Sequence, residues 1–140
     1  MANPIKSMSM KRAMNSHILG LGTDIIEIER IRQSIDNHGY RLIYRIFTPK
    51  EQDYCLKHKD PIPHFAARFS AKEAVVKALG TGFTDHITWQ DIEIINDDSG
   101  KPVVYFSTKL QKKTKGTCML LSVSHCKLYA TATALWSYGS

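Results

Sequence analysis

His64 to Leu79 reads HFAARFSAKEAVVKAL, and Gly80-Thr81-Gly82 follows it directly. Phe65, Phe69, Val76 and Leu79 recur at helical spacing, so the stretch reads as a long helix with these side chains on its apolar face. Gly80 is a natural C-terminal stop. After that helix the period changes. Ile92 and Ile94 alternate with Asp91 and Glu93, Asn96-Asp97-Asp98-Ser99-Gly100 is a turn, and Val103 to Phe106 is a second strand, which together predict a hairpin. Leu120 to His125 alternates, with Leu121, Val123 and His125 on one face. Tyr129 to Trp136 alternates too, with Ala130, Ala132 and Ala134 on one side, where small residues let a helix pack closely. Helices early and an antiparallel sheet late predict an α+β domain.

Upstream of the long helix, Ile18 to Thr23 reads as a short strand whose Gly20 and Gly22 permit close approach of another backbone or a ligand. Asp24 then stands at a strand-to-helix junction. Ile25, Ile28, Ile31 and Ile35 recur at spacings of three and four, an amphipathic helix that His38-Gly39 ends. Thr48-Pro49-Lys50-Glu51 has the signature of a capping box with proline in the first turn, and predicts a helix running to about Lys59, before Pro61 and Pro63. Lys112-Lys113-Thr114-Lys115 reads as a solvated loop. Residues 1–16 carry four of the five methionines and no apolar period, so they are expected to be a flexible extension, leaving 17–140 as a single domain.

The 140 residues are 43% apolar and 23% charged, an ordinary balance that excludes wholesale disorder and allows a core without disulfide staples. No apolar run approaches the roughly 18 residues of a membrane span. Cys55, Cys118 and Cys126 show no Cys-x-x-Cys spacing, so neither a disulfide framework nor a cysteine zinc site is expected, and a reducing cytoplasm is the default. The net charge of +6 invites polyanions: nucleic acid, phosphate-rich cofactors, anionic membranes or acidic proteins. No aromatic-rich nucleic-acid motif or helix-turn-helix pattern accompanies it.

Several residues admit both a bland and a chemical reading. Asp24 is either a helix N-cap or a carboxylate that binds a metal at the mouth of a glycine-flanked strand. Glu73 and Lys77 share a helix face, either as a surface ion pair or as a metal carboxylate beside a cation for phosphate. Gly80-Thr81-Gly82 is either a C-cap alone or bare backbone that a phosphate or nucleotide can approach. His125, at a strand end, is either a partly buried histidine with a satisfied hydrogen bond or a phosphate contact. Arg30 either pairs with Glu27 or joins Arg41 and Arg45 in a positive patch. Asp97 and Asp98 read as turn formers, since the other ligands of a calcium loop are missing.

In order along the chain these segments resemble the holo-acyl-carrier-protein synthases, small phosphopantetheinyl transferases. The resemblance runs from about Ile18 to Leu135. It rests on Gly20-Leu21-Gly22-Thr23-Asp24-Ile25 with Glu29-Arg30-Ile31, on Phe47-Thr48 with Glu51, and above all on Ala67-Arg68-Phe69-Ser70-Ala71-Lys72-Glu73-Ala74 continuing through Lys77-Ala78-Leu79-Gly80-Thr81-Gly82. Asp91 to Ile94 with Gly100-Lys101-Pro102, and Ser122-Val123-Ser124-His125 with Tyr129-Ala130, complete it. Ser70 stands where the family usually has alanine.

That resemblance implies the 4'-phosphopantetheinyl transferase fold, an antiparallel sheet packed on a long helix. It also implies a cytoplasmic enzyme that moves the 4'-phosphopantetheine arm of coenzyme A onto a serine of an apo acyl carrier protein, leaving 3',5'-ADP, in support of fatty acid biosynthesis. It implies Mg2+ at Asp24 and Glu73, Glu73 and Lys77 as catalytic residues, and coenzyme contacts from Lys77, Gly80, Thr81, Gly82 and His125. Carrier docking is implied at Arg30, Arg41 and Arg45, in a homotrimer with active sites shared between subunits. Neither nucleic acid nor membrane is an implied partner. Because the partner supplies the serine, no internal nucleophile is expected.

Overall fold

The computed structural model describes residues 17–84 and 86–139; the expected flexible extension at 1–16 lies outside them. Strand β1 (Ile18–Glu27) lies directly on the long helix α4 (Ile62–Leu79). A Cβ on Gly20 would overlap the carbonyl oxygen of Ala78, and one on Gly22 that of Ala74. Glycine is therefore required at both positions for the backbones to meet, as the bare strand face predicts. Since side chains alternate along a strand, the residue two beyond Gly22 also faces the helix. That residue is Asp24.

Strand β1 pairs antiparallel with β5 (Tyr129–Tyr138), which pairs antiparallel with β4 (Thr117–His125), in the order β1-β5-β4. The register places Gly22, Ala134 and Leu121 in one rung, and Asp24, Ala132 and Val123 in the next. Ala130, Ala132 and Ala134 are buried under α4, as expected. Strands β2 (Ile92–Asn96) and β3 (Pro102–Phe106) form the expected hairpin as a separate two-stranded sheet. The Asp97 carboxylate holds its turn, accepting from the backbone N–H groups of Ser99 and Lys101, each at 2.9 Å. The fold is α+β, with an antiparallel sheet on a long helix.

Helix α1 (Ile28–His38) starts later than its isoleucine spacing suggests, because Ile25 to Glu27 pair with Thr131 to Tyr129 and prolong β1. Asp24 is thus inside a strand and not an N-cap. Glu27 occupies the cap position and makes no side-chain capping bond. Helix α2 (Tyr40–Ile46) is a short element that the sequence reading did not separate, entered through Gly39 at φ 65°. Helix α3 (Pro49–Leu56) carries the expected capping box and ends short of Lys59. Pro63 lies within the first turn of α4, where a missing N–H costs little. Helix α5 (Thr108–Thr114) places Lys112 and Lys113 in its last turn, correcting the loop reading; cations suit a helix C-terminus. Among the described residues no helix is long and apolar enough to cross a membrane.

Inside the core lies an ion pair. Lys72 Nζ stands 2.6 Å from Glu51 Oε1, and both side chains have no exposed surface. Lys72 also donates to the carbonyl oxygens of Ile46 at 2.7 Å and Trp89 at 3.0 Å. Glu51 accepts in addition from the N–H groups of Thr48 and Ile94. One buried pair therefore ties α2, α3, α4 and β2 together.

Candidate active site

Strand alternation brings Asp24 against α4, and the helix offers Glu73 and Lys77 there, four residues apart and so on one face. Lys77 does not pair with Glu73. Its ammonium reaches across to Asp24 Oδ1 and to the Thr23 carbonyl oxygen, each at 3.0 Å. The second carboxylate oxygen of Asp24, Oδ2, is buried and has no hydrogen-bond partner among the described residues. Burial, then the neighbouring Asp24 charge, pushes the Glu73 carboxyl above its ordinary range, while Lys77 pulls the other way. Asp24 and Glu73 line one cleft of about 460 Å³, with Arg30, Ser34 and Phe69 on its walls. The backbone around Asp24 is itself fixed, because its carbonyl oxygen accepts from Thr131 Oγ1 at 2.8 Å and from Ser70 Oγ at 3.2 Å.

Two converging carboxylates, one with an orphaned oxygen, beside a lysine are suited to a hard divalent cation and a phosphate. Among the described residues no three His, Cys, Asp or Glu side chains cluster as a closed metal site. Mg2+ does not need one: it typically takes one or two carboxylates and fills its shell with water and substrate phosphate. The residues present therefore fit it.

Gly80, at φ 76°, caps α4 in the left-handed region, and Gly82 is at φ 66°. Between them Thr81 Oγ1 is buried without a partner among the described residues. Arg30 lines the acid cleft and makes no ion pair with Glu27; the neighbouring pair is Arg32 with Glu29 at 3.4 Å. Arg41 and Arg45 are exposed on α2.

His125 is exposed rather than partly buried, and it lies elsewhere in the chain. It lines a second cleft with Tyr54, His64, Arg68 and Asn96, which shares no residue with the acid cleft. Sequence reasoning passed over Arg68, which is only 6% exposed and whose Nε has no partner among the described residues. The available signal was position: Arg68 falls three residues beyond Phe65 and four before Lys72, on the face of the helix that packs inward.

The sequence model of the 4'-phosphopantetheinyl transferase superfamily matches residues 20–134. The chain is 56% identical over 119 residues to the holo-[acyl-carrier-protein] synthase of Protochlamydia amoebophila, covering 85% of this chain and 98% of that one. It is 53% identical to the enzyme of the same name from Chlamydia pneumoniae, covering 84% and 96%. Among solved structures it superposes on a holo-(acyl-carrier-protein) synthase from Bacillus anthracis in complex with CoA (3',5'-ADP), with a TM-score of 0.77 at 36% identity, covering 89% of this chain and all of that one. The Helicobacter pylori synthase in complex with coenzyme A gives a TM-score of 0.77 at 27% identity, covering 84% and 99%. By sequence and fold alike, this chain belongs to the 4'-phosphopantetheinyl transferase superfamily and is a phosphopantetheinyl transferase.

Proposed function

We propose that the chain moves the 4'-phosphopantetheine arm of coenzyme A onto a serine hydroxyl of an apo acyl carrier protein, releasing 3',5'-ADP, with Mg2+ held by Asp24 and Glu73. The convergence of Asp24 and Glu73 on one cleft, with Lys77 held against Asp24 at 3.0 Å and Asp24 Oδ2 unpartnered among the described residues, carries this reading. Bound there, Mg2+ supplies charge that polarises the diphosphate. Lys77, already beside Asp24, adds a point charge toward the phosphates. A Glu73 carboxylate oxygen takes the serine proton, and its raised pKa suits a general base. Gly80, Thr81 and Gly82 line the coenzyme, with Thr81 Oγ1 free to bond it. His125 and the buried Arg68 contact phosphate from the second cleft.

The acid cleft and the Arg68 cleft are lined by different residues of one chain, and the reading proposed is that a neighbouring subunit brings one against the other. The outer face of the β1-β5-β4 sheet supports this. Leu21 is 64%, Ile25 67% and Leu120 47% exposed there, a row of apolar side chains opposite the face packed on α4. A homotrimer with shared sites is expected, and sedimentation equilibrium should give three chain masses. The free thiols of Cys55, Cys118 and Cys126 suit a cytoplasmic enzyme, and the holo carrier it makes serves fatty acid biosynthesis.

Weighing an apo carrier protein after incubation with the chain, coenzyme A and Mg2+ tests the reaction. A gain equal to one phosphopantetheine is expected; an unchanged carrier mass overturns the reading. Arg30, Arg41 and Arg45 are the proposed docking face for the acidic carrier. Added salt should therefore raise KM for the carrier far more than KM for coenzyme A. Equal sensitivity of the two would remove the argument for that face.

A further inference from the structure

We propose that His64, stacked on His58, is a proton-linked phosphate ligand in the second cleft, so that coenzyme binding there takes up a proton. This rests on the reading of that cleft as a coenzyme site. The cleft, about 260 Å³, has a built anion receptor at its base. Arg68 is a permanent cation 6% exposed, its guanidinium 3.9 Å from the centre of the Tyr54 ring. Its Nη2 reaches Asn96 Oδ1 at 3.5 Å, its Nε has no partner, and among the described residues no carboxylate pairs with it. A buried guanidinium with a spare donor needs an anion.

The histidines stand beside it. The His58 and His64 rings are stacked with centroids 3.5 Å apart and planes 21° from parallel. His125 meets His64 edge-on at 5.8 Å. His58 Nδ1 lies 3.0 Å from the Tyr54 carbonyl oxygen and donates to it, while the His64 ring makes no hydrogen bond among the described residues. Two imidazoles in face contact repel when both are charged.

The groups around His64 are mainly positive. From α3 comes Tyr54, with Lys57 Nζ 5.3 Å from its ring centre, and past its end His58; from α4, Arg68; from β4, His125. Asp60, just before α4, opposes them, but its carboxylate is engaged by Arg32 at 2.8 Å. Burial first, then His58, His125 and Arg68, pushes the His64 pKa below its ordinary value. The free chain near neutral pH therefore holds His64 uncharged. A phosphate dianion in the cleft pairs these charges and reverses the balance: the ring nitrogen gains a proton from solvent and donates it to phosphate oxygen. The ligand favours the protonated form, so affinity falls as pH rises, by up to about tenfold per pH unit for one linked proton.

Titration calorimetry with 3',5'-ADP, at pH 6 to 8.5 in buffers of different ionisation enthalpy, tests this on the wild type, His64→Gln and His58→Gln. The wild type should take up more protons near neutrality than His64→Gln, and its affinity should fall more steeply with pH. His58→Gln relieves the repulsion without removing His64, and should move the break in affinity to higher pH. A merely structural role for the stack would move neither proton uptake nor that break. Equal proton uptake and equal pH slopes in all three proteins overturn the inference. If the carrier still gains mass under those conditions, the transfer reading survives; if 3',5'-ADP fails to bind any of the three and the carrier gains no mass, both readings fall.

Discussion

Replacing Glu73 by glutamine should cut phosphopantetheine transfer by about 10² or more in kcat, the scale of losing a positioned general base. Glutamine keeps the size of the side chain and its place on α4, so the helix and its packing on β1 are preserved. What disappears is the negative charge beside Asp24, on a carboxyl whose pKa is raised by burial first and by Asp24 second. Two roles are removed at once, metal ligand and proton acceptor, and a Mg2+ titration separates them. A loss of affinity alone is recovered when Mg2+ is raised, whereas loss of the base leaves a floor in kcat that no concentration of metal lifts. The floor is the expected result. Near-normal turnover at saturating Mg2+ would reject both roles, and with them the proposal that the two acids share one ion. Asp24→Asn gives the complementary measurement. It removes the charge that Lys77 pairs with at 3.0 Å while leaving the proposed base in place, so its defect should respond to Mg2+ more than that of Glu73→Gln.

Much of this site is legible in the sequence because strand and helix periods fix directions. Gly20 and Gly22 announce a face that another backbone can approach, and Asp24 falls two residues further along that same face. Glu73 and Lys77 share a helix face by spacing. The pairing between them is not legible. Spacing alone favours Glu73 with Lys77, while the structure gives Lys77 to Asp24, because the bare strand brings that carboxylate within reach. The strand-to-helix boundary is misjudged for a related reason. Ile25 and Ile28 fit a helical period, but β-branched residues also suit a strand, and pairing of Ile25 with Thr131 decides the matter. Helix α2 is too short, at seven residues, for its period to stand out. His125 reads correctly as a strand-end residue, yet its company of His64, Arg68 and Tyr54 comes from α3, α4 and β4 meeting in space, which no local pattern records.

Lys72 is the residue whose weight the sequence most conceals, since a lysine beside a glutamate on a helix reads as surface. Lys72→Met should destabilise the chain by about 3–5 kcal/mol, the cost of stranding a buried charge. The Glu51 carboxylate would keep its bonds from the Thr48 and Ile94 N–H groups, at 2.9 and 2.8 Å, but would lose the Lys72 countercharge in a place without solvent. The carbonyl oxygens of Ile46 and Trp89 would lose a donor in the same step. Urea unfolding followed by circular dichroism measures the loss. Adding Glu51→Gln removes the stranded charge while keeping one acceptor, so the double variant should be more stable than Lys72→Met alone, and the coupling between the sites should be large. A Lys72→Met midpoint close to the wild type would show that the pair stabilises nothing. The consequence reaches function through geometry. Ile46 ends α2, which carries Arg41 and Arg45, and Lys72 precedes Glu73 on α4. The bond from Lys72 to Ile46 thus sets the proposed carrier-docking helix against the proposed metal carboxylate. In a Lys72→Met protein kept folded at low temperature, KM for the carrier should rise while KM for coenzyme A changes little, because the arginines lose their fixed position before the coenzyme cleft does.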